Sequence, residues 1–477
     1  MSWVSPLAAR YASPAMQALW SDRRRIRVWR ELWLALMEAQ RELGLPIPEG
    51  ALQQLHAHLD DTDLDRAAEY EKRFRHDVMA HIHHLGDQAP AARSHIHLGA
   101  TSADITDNAD LILIREALRL LLGRVAAVLV ALGNAARRYR AVPCLAYTHF
   151  QPAQLTTIGK RVTLWMQEFA LDASEVLHRL ETLAFRGVKG ATGTQASFVD
   201  LFDGDLDKVR ELDQRVARKL GFTRVFAVTG QTYTRKVDAQ VLAALSSIAQ
   251  SAAKFATDLR LLQHEGEMLE PFESEQVGSS AMPYKRNPMR AERMTSLARF
   301  VIELEGNAWH TAAAQWLERT LDDSANRRLV IPEAFLATDA ILVLATNVAA
   351  GIEVREAVVA QHVAAGLPFL VTERLLMRAV KAGGDRQKLH DVIRGHSLVV
   401  AQAIAERGAP NDLLDRLARE PALASLGVAL EPGELDAARY VGRAPEQVDD
   451  FLNHDLAELM RAIDQAAPVT TTAEVNV

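Results

Sequence analysis

The chain is poor in several chemical signals, and each shortage narrows what it can be. It has a single cysteine, Cys144, in 477 residues. That excludes a disulfide framework within one chain and a zinc site built on paired cysteines. A reducing cytoplasm suits such a chain. Gly187, Gly190 and Gly193 make a flexible loop, but neither they nor Gly159-Lys160-Arg161 supply the spacing of a phosphate-binding loop. No Gly-x-Gly-x-x-Gly follows a strand pattern either, so nucleotide triphosphatase and dinucleotide chemistry lack their usual sequence support. His81, His83 and His84 are not four apart and have no Glu-x-x-His companion, so no metal site is expected there.

Membrane and export signals are equally scarce. No basic stretch followed by an apolar run opens the sequence, so no signal peptide is expected. The most apolar segment, Leu111 to Leu132, is interrupted by Arg115, Glu116, Arg119 and Arg124 and reads as a buried helix rather than a membrane span. The net charge of −7 argues against nucleic acid as a partner. Strand pattern is sparse, with Arg224–Val228 as the best short candidate, and no repeat marks a solenoid.

What is abundant is helical periodicity. Ser21 caps a helix with Ile26, Trp29, Trp33, Leu36, Met37 and Leu43 at helical spacing, and Gly44 and Pro46 stop it. A second helix is expected over Leu64 to Leu85. Long stretches with few breakers follow at Asp104–Arg140, Thr156–Phe185, Val237–Leu269, Pro288–Arg319 and Pro332–Ile352. Several are apolar around much of their circumference, which implies burial on more than one side. One thin bundle could not cover them, and oligomerisation would merge bundles into a larger core. The expected fold is all-α, with boundaries near Ala100 and Val354. These give an N-terminal helical domain over residues 1–101, a central long-helix bundle over 102–354, and a C-terminal helical domain over 355–477. In the C-terminal domain Gly366-Leu-Pro, Gly383-Gly and Gly408-Ala-Pro are expected to separate shorter helices, and Pro468–Val477 reads as a frayed tail.

Polar clusters lie between the long helices. They are Arg10-Tyr11; Arg75-His76-Asp77, expected inside a helix; His97 through Ser102, ahead of a helix that opens with Asp104 and Asp107; Thr148-His149-Phe-Gln-Pro, again ahead of a helix; and Gln315 through Arg328. A sixth, Gly278 to Arg293, concentrates Ser279, Ser280, two prolines, Lys285, Arg286, Arg290 and Arg293 in what suits a mobile loop closing over an anion. Taken singly, each has an ordinary reading as a solvated face, a cap or a surface salt bridge. Taken together, they place hydroxyls, amides and arginines around helix ends, where carboxylates and phosphates bind well. The chemistry points to a lyase or isomerase acting on a polyanionic small molecule. His149 and His76 are acid–base candidates. Ser279 reads as a hydrogen-bond donor or nucleophile, although no Gly-x-Ser-x-Gly elbow surrounds it.

Gly278-Ser-Ser-Ala-Met-Pro-Tyr-Lys-Arg-Asn-Pro resembles the signature loop of the aspartase/fumarase superfamily. Several segments narrow the resemblance to the adenylosuccinate lyases, especially the branch that includes the animal enzymes. They are Arg75-His-Asp-Val-Met-Ala-His, Ile96-His-Leu-Gly-Ala-Thr-Ser, Thr148-His-Phe-Gln-Pro-Ala-Gln, Gly187-Val-Lys-Gly-Ala-Thr-Gly-Thr and Gln315-Trp-Leu-Glu-Arg-Thr-Leu-Asp-Asp-Ser-Ala-Asn-Arg-Arg. The resemblance implies a three-domain all-α fold and a homotetramer. The central bundles would form a twenty-helix core, with active sites shared between subunits. It also implies cofactor-free β-elimination of fumarate from a succinylated purine nucleotide or from the related succinyl-carboxamide ribotide. The family pattern puts the general base on Ser279 and the general acid on His149. It puts Lys285 and Asn287 beside the developing carbanion. Thr101, Ser102, Gln231, Ser280 and Ser324 would hydrogen-bond substrate, and Arg10, Tyr11, Arg75, His76, Asp77, Arg293, Arg319 and Arg328 would hold the nucleotide and its charges. Argininosuccinate lyase chemistry, or a superfamily member without turnover, are the alternatives.

Overall fold

The computed structural model describes residues 3–467 apart from 274 and 432. The tail predicted over Pro468–Val477 therefore lies outside the described residues. Helix α1, Asp22–Glu42, opens where expected: Ser21 Oγ accepts from the Arg24 N–H at 3.2 Å. The single helix expected over 64–85 is instead two, α2 (Leu64–Phe74) and α3 (Asp77–Gln88). Arg75 adopts φ 54°, in the left-handed region, and this ends α2. Periodicity could not reveal the break, because Arg75 is neither Gly nor Pro.

Five long helices make the central body. They are α4 (Ser102–Arg138), α5 (Ile158–Thr182), α6 (Lys236–His264), α7 (Met289–Ala313) and α8 (Asp322–Ala350). Contacts run α4 to α5, α5 to α6, α6 to α7, α7 to α8 and α8 back to α4, which closes the bundle. Its interior holds Leu121, Leu122, Val125, Leu129, Phe169, Phe255, Leu259 and Ile341, all fully buried. α4 starts cleanly because the Asp104 carboxylate accepts from the Thr101 N–H at 2.8 Å.

α8 begins ten residues before the expected Pro332, which lies inside the helix. Proline there removes the donor that would serve the Arg328 carbonyl, a local cost that the surrounding packing absorbs. Large apolar side chains also face outward from the bundle, among them Val130, Leu164, Leu171, Leu261, Phe300 and Trp309.

The expected strand at 224–228 is not one; Val225 makes an isolated bridge to Phe185. The strands that do form are β1 (Pro143–Thr148) and β2 (Gln151–Thr157), an antiparallel hairpin between α4 and α5. A short pair, β3 (Met268–Leu269) with β4 (Glu353–Val354), ties the end of α6 to the segment after α8. Helix α9, Glu356–Lys381, runs straight through the Gly366-Leu-Pro expected to break it, while Gly383 and Gly408 do follow helix ends.

Candidate active site

A cleft of about 1160 Å³ opens between the N-terminal helices and the bundle. Arg75, His76, Asp77, Thr101, Ser102, Gln231, Arg319, Ser324 and Arg328 all line it. The Arg75-His76-Asp77 run sits at a helix junction rather than within a helix, and that junction is what aims it. His76 becomes the N-cap of α3, its Nδ1 accepting from the Met79 N–H at 3.4 Å. A ring that accepts at Nδ1 carries its proton at Nε2, and Nε2 lies 3.4 Å from Ser102 Oγ at the start of α4. Asp77 accepts from the Val78 N–H at 2.8 Å and meets Arg328 Nη2 at 2.9 Å. Burial pushes its carboxyl up, but the Val78 N–H and Arg328 outweigh this and hold it below the usual range.

The opposite wall depends on close backbone packing. Gly230 admits no side chain, since a Cβ there would stand 2.5 Å from the Glu318 carbonyl oxygen. The Gln231 N–H donates to that same oxygen at 3.0 Å, and Gln231 Oε1 accepts from Arg319 Nη1 at 3.0 Å. Beneath lies a layer of buried ions. Arg235 takes both oxygens of Asp107 at 3.0 and 3.1 Å, and Asp323 at 2.7 Å. Arg327 takes Asp238 at 2.7 Å and Asp110 at 2.9 Å. Arg235 and Asp110 were not expected at the site, and Asp323 and Arg327, within the 315–328 cluster, carried no expected role. A signal existed: Asp104, Asp107 and Asp110 recur at helical spacing at the start of a long, largely buried helix, and buried carboxylates require cations.

The remaining predicted residues form other groups, none lining this cleft. Ser279 is half-buried in the 278–293 loop, and its Oγ accepts from the Ala281 and Met282 N–H groups at 3.3 and 3.2 Å. Asn287 Nδ2 donates to the Gly278 carbonyl at 2.8 Å and so closes the loop on itself. Ser280 and Lys285 are exposed. At the loop's far end Glu270 caps α7, accepting from the Arg290 and Ala291 N–H groups at 3.1 and 2.9 Å. Arg293 stacks its guanidinium 5.5 Å from the Tyr11 ring centre, and Arg10 beside it is exposed.

His149 is exposed at the tip of the β1–β2 hairpin, not directly ahead of a helix. It and Phe150 both have positive φ, 54° and 57°. Two such residues between two strands make the mirror-image turn that matches strand twist, normally built from Asn and Gly. Histidine and phenylalanine there carry strain, which concentrates at functional positions. Among the described residues, no group of three or more His, Cys, Asp or Glu is placed to hold a metal ion.

Residues 19–302 match the family described as Lyase, and residues 368–451 match the adenylosuccinate lyase C-terminus. The adenylosuccinate lyase of Schizosaccharomyces pombe is 49% identical over 462 residues, covering 96% of each chain. That of Schistosoma mansoni is 46% identical over 455 residues, covering 95% of this chain and 94% of its own. The crystal structure of fumarate lyase from Mesorhizobium sp. BNC1 superposes with a TM-score of 0.79 at 24% identity, over 93% of this chain and 99% of that one, and so shares the fold.

Proposed function

The chain belongs to the adenylosuccinate lyase family of the aspartase/fumarase superfamily, and from that premise we propose how its residues divide the work. It is a carbon–nitrogen lyase that eliminates fumarate from adenylosuccinate, leaving AMP. The succinylated carboxamide ribotide of purine synthesis is a second substrate of the same form. The observation that carries the assignment to the cleft is the grouping there of guanidinium, hydroxyl and amide side chains suited to anions. Arg75, Arg319 and Arg328 converge with Thr101, Ser102, Gln231 and Ser324 on one space large enough for a nucleotide.

Ser279 acts as the base that removes the proton from the succinyl Cβ. A hydroxyl is a poor base until it ionises, and the two backbone N–H groups aimed at Ser279 Oγ support the oxyanion. Lys285 adds positive charge when the loop closes and water leaves. The electron pair left on carbon spreads into the adjacent carboxylate, with Asn287 and Lys285 beside it. The C–N bond then breaks, and His149 protonates the departing nitrogen. Ser280 donates to the succinyl carboxylates. Tyr11 and Arg293, already joined by the cation–ring contact, and the neighbouring Arg10 hold nucleotide charge alongside Arg75, His76, Asp77, Arg319 and Arg328. No cofactor is needed.

The loop and the hairpin both lie outside the lining of the cleft, and both attach near the end of α6, the loop through Gln263 and Glu270 and the hairpin through Glu267. Subunits of a homotetramer bring them together, each supplying a different portion of one site. The outward apolar residues of the bundle helices give such an assembly its contact surface. The three sequence divisions at 101 and 354 become its domains, and the reducing cytoplasm is its compartment. The experiment is direct: purified protein with adenylosuccinate should release fumarate, seen by ultraviolet absorbance. Release from argininosuccinate but not from adenylosuccinate would overturn the assignment.

A further inference from the structure

The strained hairpin tip needs something to hold it, and the structure supplies a buried ion cluster directly beneath. Glu267 follows α6, and its side chain is wholly buried. Its Oε1 accepts from His362 Nδ1 of α9 at 2.8 Å and from the Tyr147 hydroxyl of β1 at 3.4 Å. Its Oε2 faces Arg161 Nη1 of α5 at 3.7 Å. The Glu267 backbone is itself pinned, its N–H to the Leu262 carbonyl at 3.0 Å and its carbonyl to the Arg355 N–H at 2.9 Å. A buried carboxylate is costly unless paired, so this group has one fixed place from which other elements take their position.

Those elements converge on β1. The hairpin register shifts between Leu145 and Tyr147, where Ala146 of β1 faces two residues of β2, Ala153 and Gln154, a bulge of the kind that re-aims a strand end. Arg161 donates to the Leu145 carbonyl just before the bulge and lies 5.8 Å from the Tyr147 ring centre. Tyr147 follows the bulge and packs its ring 5.7 Å from Phe150 across the turn. Burial, then the nearby Glu267 charge, push the Tyr147 hydroxyl up to about 12, so it stays a donor to Glu267. His149 is two residues beyond Tyr147.

We propose that Glu267 is a positioning residue for His149: through the Tyr147 hydroxyl and Arg161 it fixes the end of β1 opposite the bulge and thereby the direction of the imidazole at the tip. It touches no substrate. The inference rests on His149 being the general acid, and its effect is on geometry, where a displacement of about 1 Å can cost as much as about 100-fold in rate.

The test is kinetic. Tyr147→Phe removes one hydroxyl and should lower kcat about tenfold with KM within about twofold. Glu267→Gln, which keeps the shape but not the charge, should also lower kcat; if it fails to fold, Tyr147→Phe still decides. The discriminating readout is the double variant. Added to His149→Ala, Tyr147→Phe should cost nothing further, because the group it positions is gone. A further tenfold loss in the double variant means that Tyr147 acts elsewhere, and overturns the inference. So does a Tyr147→Phe enzyme with normal kcat beside an inactive His149→Ala, which leaves the acid assignment standing. Full turnover in His149→Ala overturns the acid assignment and the inference with it.

Discussion

Arg328 and Asp77, 251 positions apart in sequence, meet at 2.9 Å and join α8 to the α2–α3 junction at the side of the cleft. The Arg328 side chain is 58% exposed, so as a structural tie the pair is worth no more than about 1 kcal/mol. Its value is to present a guanidinium already oriented toward an incoming anion. Arg328→Ala should therefore raise KM for adenylosuccinate about tenfold or more, the scale of one lost charged hydrogen bond, while thermal stability barely moves. A large drop in melting temperature with normal KM would contradict this.

That pair also shows what the sequence could and could not reveal. The long helices were legible because apolar spacing over twenty or so residues is a strong signal. Arg75, His76, Asp77 and Arg328 were legible as a resemblance, but their meeting was not. It depends on Arg75 taking a left-handed conformation that no composition rule anticipates. The hairpin was missed for a related reason: its turn uses His149 and Phe150 where the usual turn residues would have announced it. Pro332 and Gly366-Leu-Pro misled in the other direction, since tertiary packing along one face overrides local breakers inside long helices.

The ion layer under the cleft gives a stability prediction. Arg327 is almost wholly buried between Asp238, Asp110 and the Tyr233 hydroxyl. Arg327→Met would leave those carboxylates without their cation. The expected loss is about 3–5 kcal/mol in urea unfolding, enough to leave little soluble protein if the chain is only marginally stable. A variant within about 1 kcal/mol of the parent would show that the layer is not structural.

A buried histidine, His81, and a half-buried one, His97, set a pH dependence. Burial brings His81 and His97 down from 6.5 to about 4, and His97 Nδ1 accepts from the Trp33 Nε1–H at 3.1 Å, which requires a free lone pair. Between these values the unfolded chain binds protons that the folded chain refuses. Stability should thus be fullest above about 6.5, fall as pH drops toward 4, and level off below. Each histidine contributes on the order of 3 kcal/mol across that window. Asp172 works the other way, since burial pushes it up to about 6. A His97→Gln variant separates the contributions: its stability should decline less steeply with falling pH than the parent's. An equal slope would mean that His97 is protonated in the fold.

The last prediction concerns the division of the site among subunits. Ser279→Ala and His149→Ala should each lower kcat by at least about 10²-fold, the usual scale of an acid or base contribution. Neither residue lines the cleft that gathers the nucleotide-binding residues, and the proposed shared site has the serine of one chain act with the histidine of another. If that is so, mixing the two inactive proteins under conditions of subunit exchange should restore activity. Hybrid tetramers contain some sites with an intact serine from one chain and an intact histidine from another. Recovered turnover should be a fixed fraction of the parent's and should vanish when each variant is cross-linked as a tetramer before mixing. If native mass spectrometry shows hybrids and turnover stays at background, Ser279 and His149 of one chain serve the same site, and the shared-site arrangement is wrong.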